Sequence, residues 1–151
     1  MHQIKLTISP TYNSPEVEFD PLSGVLKLTG KSIPENATQV YAPILGWVKE
    51  YVKDSCEETN LHLDLDYFNT ASSIWIARMV KLLTRIPDPE KLLILHIYFH
   101  IEEFNEMEEE DIKEALAPVF NVISEATLSV GVKIYGKDDF NTIVKEKLIL
   151  F

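Results

Sequence analysis

Cysteine and glycine, which build many enzyme sites, are scarce in this sequence. It contains one cysteine, Cys56, and five glycines among 151 residues. One cysteine cannot form an intrachain disulfide, and Cys56 lies in a polar stretch without a neighbouring lysine, arginine or histidine to activate it. Few glycines leave little room for a loop that cradles phosphate, and the P-loop, GxGxxG and GxSxG motifs are missing. We therefore expect a protein that is not an enzyme and that carries no cofactor.

Basic residues are also in the minority, with 14 lysines and arginines against 24 aspartates and glutamates and a formal net charge of -10. This balance argues against a nucleic-acid partner, because a nucleic-acid surface needs basic patches. No apolar run approaches the roughly 18 to 20 residues of a membrane span, and the N-terminus lacks a signal-peptide pattern. We expect a cytoplasmic protein without a membrane partner. A hydrophobic content of 46% is enough for one core, so residues 1–151 are predicted to form a single domain.

The hydrophobic periodicity predicts an α/β fold. Three short extended segments, at 4–8, 17–19 and 25–29, indicate an antiparallel β-hairpin opening. Helical and extended patterns then alternate, which is typical of βαβ units with right-handed crossovers. The predicted elements are a helix from the SxxE capping box at 32–35 to about Lys53, a strand at 61–68, a helix ending before Pro87, a strand at 92–99, a helix interrupted by Pro118, and a strand at 130–135. Residues 138–147 fit a short helix, and 148–151 could equally form a strand.

Two of the strands differ in their patterns. Residues 61–68 alternate between apolar and largely polar side chains, so the polar face of this strand is predicted to have no helix over it. Residues 92–99 are almost continuously apolar, which predicts a central strand covered on both faces.

The junction of the strand at 61–68 with the following helix is the most informative stretch. It places Asn69, Thr70, Ser72 and Ser73 at the carboxyl end of a strand, where α/β sheets usually carry their sites. A helix start offers unpaired N–H groups and a positive dipole end, which stabilise an anion by up to about 1 kcal/mol. Helix capping alone would also explain these residue types.

Several stretches around this junction resemble the SiaC family of bacterial regulatory phosphoproteins. They are residues 14–20 (SPEVEFD), 32–36 (SIPEN), 41–47 (YAPILGW) and 67–73 (YFNTASS). The resemblance implies a fold like that of STAS-type anti-sigma-factor antagonists. For this chain that means a STAS-like mixed β-sheet with a β-hairpin opening followed by βαβαβα units.

The resemblance also implies a function by partner switching. A dedicated Ser/Thr kinase would phosphorylate Thr70, and a PP2C-type phosphatase would remove the phosphate. The unphosphorylated form would bind and activate a target, a diguanylate cyclase, and so promote c-di-GMP synthesis and biofilm formation. Asn69, Ser72, Ser73, Tyr67 and Phe68 would form the phosphosite surroundings and the partner surface. An anti-sigma-factor antagonist that controls transcription is the alternative.

Residues 102–114 depart from the family pattern and hold eight acidic residues against one lysine. A solvated helix start, favoured by the helix dipole, explains such a segment without any further function. The alternative is an acidic docking segment for basic groups of a partner, with Glu102, Glu103 and Glu106 in it.

A metal-dependent enzyme is the third hypothesis. His62 and Asp64 share one strand face with Asp66, and His96 and His100 share a face of the next strand, so metal ligands could converge there. Any half-exposed polar strand face looks like this, however, and no HExxH spacing supports a metal site. We therefore predict no metal.

Overall fold

The computed structural model describes residues 3–150, which form one seven-stranded sheet with the strands in chain order. The strands β1, β2 and β3 are antiparallel neighbours, β3 to β6 are parallel, and β7 returns antiparallel to β6. Their bounds are β1 Leu6–Ile8, β2 Glu16–Asp20, β3 Val25–Ser32, β4 Glu58–Phe68, β5 Leu92–His100, β6 Ser129–Lys137 and β7 Ile143–Leu150. The predicted mixed sheet with a hairpin opening is confirmed.

The helices connect the parallel strands. They are α1 Ala37–Tyr51, which continues into a 3-10 turn at Val52–Asp54, α2 Thr70–Leu83, α3 Ile101–Glu106, α4 Glu109–Ala115 and α5 Ala117–Ile123. Each connection advances one strand in the same direction, so right-handed crossovers place the helices on one face of the sheet. None of the helices within residues 3–150 is long and apolar enough to cross a membrane.

The core lies between this helical layer and the sheet. Alternate strand residues such as Leu28, Leu63 and Leu95 are buried there against helix residues such as Ile44 and Met79. Burying a leucine or isoleucine side chain contributes about 1.5 to 3 kcal/mol each, so this layer dominates the stability of the fold. It also fixes the carboxyl ends of β3 to β6 and the start of α2 at the same edge of the sheet.

The opposite face of the sheet carries a cluster of histidine and tyrosine rings. The rings of His62 and His96 stack with centroids 4.1 Å apart, and those of Tyr98 and Tyr135 stack at 4.6 Å. The Nδ1 atoms of His62 and His96 form hydrogen bonds with the hydroxyls of Tyr98 and Tyr135, at 2.8 and 2.7 Å. His96 Nε2 donates to Asn60 Oδ1 at 2.7 Å.

Desolvation is the main reason why both imidazoles stay neutral. It lowers the pKa of His62 to about 4, with Lys27 adding to the effect and Asp64 opposing it. Desolvation likewise lowers the pKa of His96 to about 4, and the neighbouring His62 and Lys133 act in the same direction. Protonating Nδ1 of His96, whose Nε2 already donates to Asn60, would also remove the acceptor of the Tyr135 hydroxyl.

The open face confirms one strand prediction and corrects another. The polar face of β4 has no helix over it, as predicted. The strand β5 is central, but helices cover only one of its faces, and the prediction of cover on both faces was wrong. On the other face His96 and Tyr98 pair with residues of β4 and β6. The apolar pattern of β5 predicted that this face lies in a core. Instead, the rings of these amphipathic side chains stack on one another on a face without a helix.

Three helix predictions also differ from the structure. Ser32 ends β3 and does not cap a helix; α1 begins at Ala37, and Asn36 caps it by accepting from Gln39 N at 3.2 Å. The predicted third helix is divided into α4 and α5, with Pro118 in the first turn of α5, and α3 precedes them. Residues 138–147 form no helix, because a turn closed by Asp138 Oδ1 leads into β7.

Replacing His96 by glutamine should weaken the pH dependence of stability. The unfolded chain protonates histidine near pH 6.5, whereas folding lowers the pKa of His62 and His96 to about 4. The unfolded state therefore binds more protons between pH 7 and 4, and the free energy of unfolding falls as the pH falls through this window. His96→Gln should make this fall shallower in urea unfolding series.

The matched control is His100→Gln. The hydrogen bond with Asp139 raises the pKa of His100, so this histidine stabilises the fold at low pH and its loss cannot make the fall shallower. If His96→Gln gives the same pH slope as the unmodified chain, the neutral ring cluster is not the source of the dependence.

Candidate functional site

The junction between β4 and α2 is fixed by Asn69. Its side chain caps α2 by accepting from Ser72 N at 2.9 Å, and its backbone N–H donates to Ser32 O at 3.0 Å. The side-chain Nδ2 also donates to Pro34 O at 3.4 Å. One residue thus ends β4, starts α2 and joins both to the end of β3. Asn69 was expected beside the phosphosite, and the structure gives it this positioning role.

Thr70 is the first residue of α2, and its side chain is exposed. The N–H groups of Thr70 and Ala71 have no acceptor in a preceding helical turn, because an α-helix pairs each N–H with a carbonyl four residues earlier. The hydroxyl therefore lies at the positive end of a helix and within reach of a modifying enzyme. This exposure is the geometric condition for a phosphorylation site.

The two serines of the junction have different surroundings. Ser72 is fully buried, with 0% of its surface exposed. Its hydroxyl donates to Ser32 O at 2.8 Å and accepts from Ser32 Oγ at 2.8 Å, and the hydroxyl of Ser32 also bonds that of Tyr41. Burial raises the pKa of Tyr41, so its hydroxyl stays neutral. The expectation that Ser72 faces a partner is corrected: its hydroxyl and its N–H are both used inside the protein.

Ser73 is half-buried, and its hydroxyl donates to Thr70 O at 2.8 Å within the helix. It lies at the mouth of a cleft next to the junction. Ser73 therefore lies near the surface.

Four exposed apolar residues close to Thr70 in the fold form what we call the apolar patch. It consists of Ile33, Tyr67, Phe68 and Ile74, whose exposed fractions are 43%, 63%, 46% and 45%. Phe68 pairs with Ser32 at the end of β3, which brings Ile33 next to the junction. Ile74 lies one helical turn beyond Thr70 on the same side of α2. Contiguous exposed apolar groups of this kind mark interaction surfaces.

Sequence reasoning placed Tyr67 and Phe68 on this surface but missed Ile33 and Ile74. The position of Ile33 depends on the parallel pairing of β3 with β4, which local sequence does not contain. For Ile74 a signal was available, since residues four apart on a helix are neighbours.

A cleft of about 640 Å³ opens beside the patch, between the carboxyl ends of the parallel strands and the helices α2, α3 and α5. Glu103 of the acidic segment lines it, whereas Glu102 and Glu106 lie elsewhere on the exposed surface of α3. The structure thus brings one member of the segment to the edge of the sheet that carries Thr70.

Four of the five residues of the metal hypothesis already have protein partners. Asp64 accepts from Lys137 Nζ at 2.7 and 2.8 Å, and His100 Nε2 bonds Asp139 Oδ1 at 2.7 Å. His62 and His96 bond the tyrosines of the open face. Across residues 3–150 there is no group of three or more histidine, cysteine, aspartate or glutamate side chains that could hold a metal ion.

A sequence model of the SiaC family of regulatory phosphoproteins matches residues 8–125, most of the chain. The chain belongs to the SiaC family. The matched residues include the junction at Asn69, Thr70 and Ser72 and all of the apolar patch.

Known SiaC structures share the fold. Apo-SiaC from Pseudomonas aeruginosa is similar with a TM-score of 0.64 at 25% identity, over 74% of this chain and 93% of that one. A second SiaC structure from Pseudomonas aeruginosa gives 0.60 at 26% identity, over 69% and 91%. A chain in the complex of the diguanylate cyclase SiaD with its activator SiaC, from the same organism, gives 0.65 at 21% identity, over 86% and 99%.

Sequence comparison also finds an uncharacterised protein of Pseudomonas aeruginosa strain UCBPP-PA14. It is 33% identical over 67 residues, which are 44% of this chain and 53% of the relative. The match thus spans about half the length of that curated relative.

The two serines of the junction provide a matched pair of substitutions. Ser72→Ala should lower the free energy of unfolding by about 1 to 3 kcal/mol, because it removes two buried hydrogen bonds to Ser32. Ser73→Ala should change it by less than about 0.5 kcal/mol, since water can replace its hydrogen bond. Chemical unfolding of both variants measures the difference, and equal losses would contradict a buried hydroxyl network centred on Ser72.

Proposed function

We propose that this chain is a non-enzymatic partner-switching regulator, one domain over residues 1–151, controlled by reversible phosphorylation of Thr70. The observation that carries the proposal is an exposed threonine at the start of α2, surrounded by the apolar patch of Ile33, Tyr67, Phe68 and Ile74. A modifiable hydroxyl at that position lies inside the surface that a protein partner would cover.

Phosphorylation would change binding without unfolding the domain. A phosphate adds about −1.5 to −2 charges and three acceptor oxygens, which a helix N-terminus stabilises. A partner packed on the apolar patch would instead have to desolvate that anion. A loss of only about 1.4 kcal/mol weakens affinity tenfold, so a modest penalty is sufficient for a switch.

Three kinds of partner follow from this proposal. A Ser/Thr kinase adds the phosphate, a PP2C-type phosphatase removes it, and a target protein binds the unphosphorylated form. In the solved complex SiaC is the activator of the diguanylate cyclase SiaD. Membership in the same family supports a diguanylate cyclase as the target here, with c-di-GMP signalling and biofilm regulation as the output. The same switch could serve an anti-sigma-factor antagonist, but no feature of this surface favours that partner.

Substitutions at Thr70 test the charge mechanism. Thr70→Glu should weaken binding to the diguanylate cyclase target at least tenfold, because it places a carboxylate inside the apolar patch. Thr70→Ala should keep the affinity of the unmodified chain within about threefold, because it preserves neutrality. Isothermal titration calorimetry with the purified cyclase measures both. Equal affinities of the two variants would reject the mechanism.

Thr127→Glu is the matched control. Thr127 is also exposed, but its backbone N–H donates to Thr84 O at the opposite edge of the sheet. The same charge placed there should leave cyclase binding unchanged. A loss equal to that of Thr70→Glu would mean that net charge, and not the position of Thr70, weakens the complex.

The modification itself is tested by mass spectrometry after incubation with the cognate kinase and ATP. The unmodified chain and Ser73→Ala should each gain one phosphate, and Thr70→Ala should gain none, because Ser72 is buried. Phosphate on the Thr70→Ala chain would assign the modification to another residue.

A further inference from the structure

The cleft beside the apolar patch has a preformed floor of apolar and aromatic side chains. Ile76 of α2 and Val119 of α5 are buried lining residues, and Phe68 and Phe99 add aromatic rings. Its volume of about 640 Å³ is in the range of pockets that hold a ligand or a large side chain. Phe68 belongs to both the cleft and the apolar patch, so the two surfaces are continuous.

The acidic side chains around the cleft differ in whether they already have a partner within the protein. Lys137 neutralises Asp64, His100 bonds Asp139, and Asp138 accepts from two backbone N–H groups of its own turn. Asp66 and Glu103 are exposed, and neither has a basic partner within 4.0 Å among the described residues. The cleft thus combines aromatic lining residues with two exposed carboxylates that form no salt bridge among the described residues.

We propose that the cleft receives an arginine side chain of the protein that docks at Thr70. A guanidinium group is planar, stacks on aromatic rings and pairs with carboxylates, so it matches both halves of the lining. Its apolar stem would pack on Ile76 and Val119 while its head meets Asp66 and Glu103. Lysine would satisfy the charge but not the ring stacking. This inference rests on the proposed function in one respect, since it takes the arginine to belong to a protein partner.

The turn between β6 and β7 forms one wall of this cleft. Lys137 anchors the turn by bonding Asp64 and Asn141, and His100 bonds Asp139 at its tip. This turn lies outside residues 8–125, which match the family model. The cleft is therefore built partly from residues beyond the segment that matches the family model.

Titration of the isotope-labelled full-length chain with N-ethylguanidinium, followed by NMR, tests the cleft without any partner or phosphate. The amide signals of Ile76, Phe99 and Val119 should shift saturably in the millimolar range. N-ethylurea, which has a similar shape but no charge, should produce no such shift. Asp66→Asn/Glu103→Gln should weaken N-ethylguanidinium binding at least threefold.

Glu57→Gln/Glu125→Gln is the matched control, because both glutamates are exposed at the opposite edge of the sheet. This control should bind N-ethylguanidinium as the unmodified chain does. Shifts scattered over other surfaces, or equal binding by the two double variants, would overturn the proposal. Neither the cyclase nor the kinase takes part in this titration. A negative result would therefore not contradict the role of Thr70, and a negative result with the Thr70 variants would not contradict arginine binding in the cleft.

Discussion

A buried hydrogen-bond network of three hydroxyls joins the end of β3 to α1 and to the start of α2. Ser72 of α2 bonds both the carbonyl and the hydroxyl of Ser32 at the end of β3, and Ser32 bonds Tyr41 of α1. Among the residues that the structure describes, no buried side-chain nitrogen or oxygen lacks a partner. Buried polar groups that are fully paired specify one arrangement, because every alternative leaves a donor or acceptor unsatisfied. The network therefore fixes where α2 begins.

The position of Thr70 follows from this constraint. With Ser72 turned inward and Asn69 capping the helix, the side chain two residues before Ser72 has to face outward. The junction is then rigid before any partner arrives, so a phosphate would not need to reorganise the backbone. It would change the charge of a surface whose shape stays the same. A switch of this kind needs little free energy, whereas a switch that refolds a segment must also overcome the conformational entropy of ordering it.

Much of the architecture could be predicted from local patterns. The alternation along β4 predicted a strand with an open polar face, and the start of α2 was visible as a run of capping residues. The helix predicted at 138–147 was wrong, because Asp138, an aspartate that could cap a helix, closes a β-turn instead. In that turn Asp138 accepts from two backbone N–H groups, and Asn141 adopts a positive φ of 63°. Local sequence does not distinguish these two uses of aspartate.

The features that sequence reasoning missed depend on strand order. The role of Ser32 requires that β3 lies beside β4, and the cleft requires that the β6–β7 turn reaches the end of β4. Both contacts join residues far apart in the chain. The resemblance to the SiaC family suggested Thr70 as the phosphorylation site. The structure added what surrounds this residue, namely a fixed junction, an exposed apolar patch and a neighbouring cleft.

The central claim is that a phosphate on Thr70 removes a partner without unfolding the domain. Its most direct test is the dissociation constant of the diguanylate cyclase complex, measured with fully phosphorylated protein and again after treatment of the same sample with phosphatase. The account predicts at least tenfold weaker binding by the phosphorylated sample, an unchanged circular dichroism spectrum, and full recovery of affinity on dephosphorylation. Equal or tighter binding of the phosphorylated protein would contradict it.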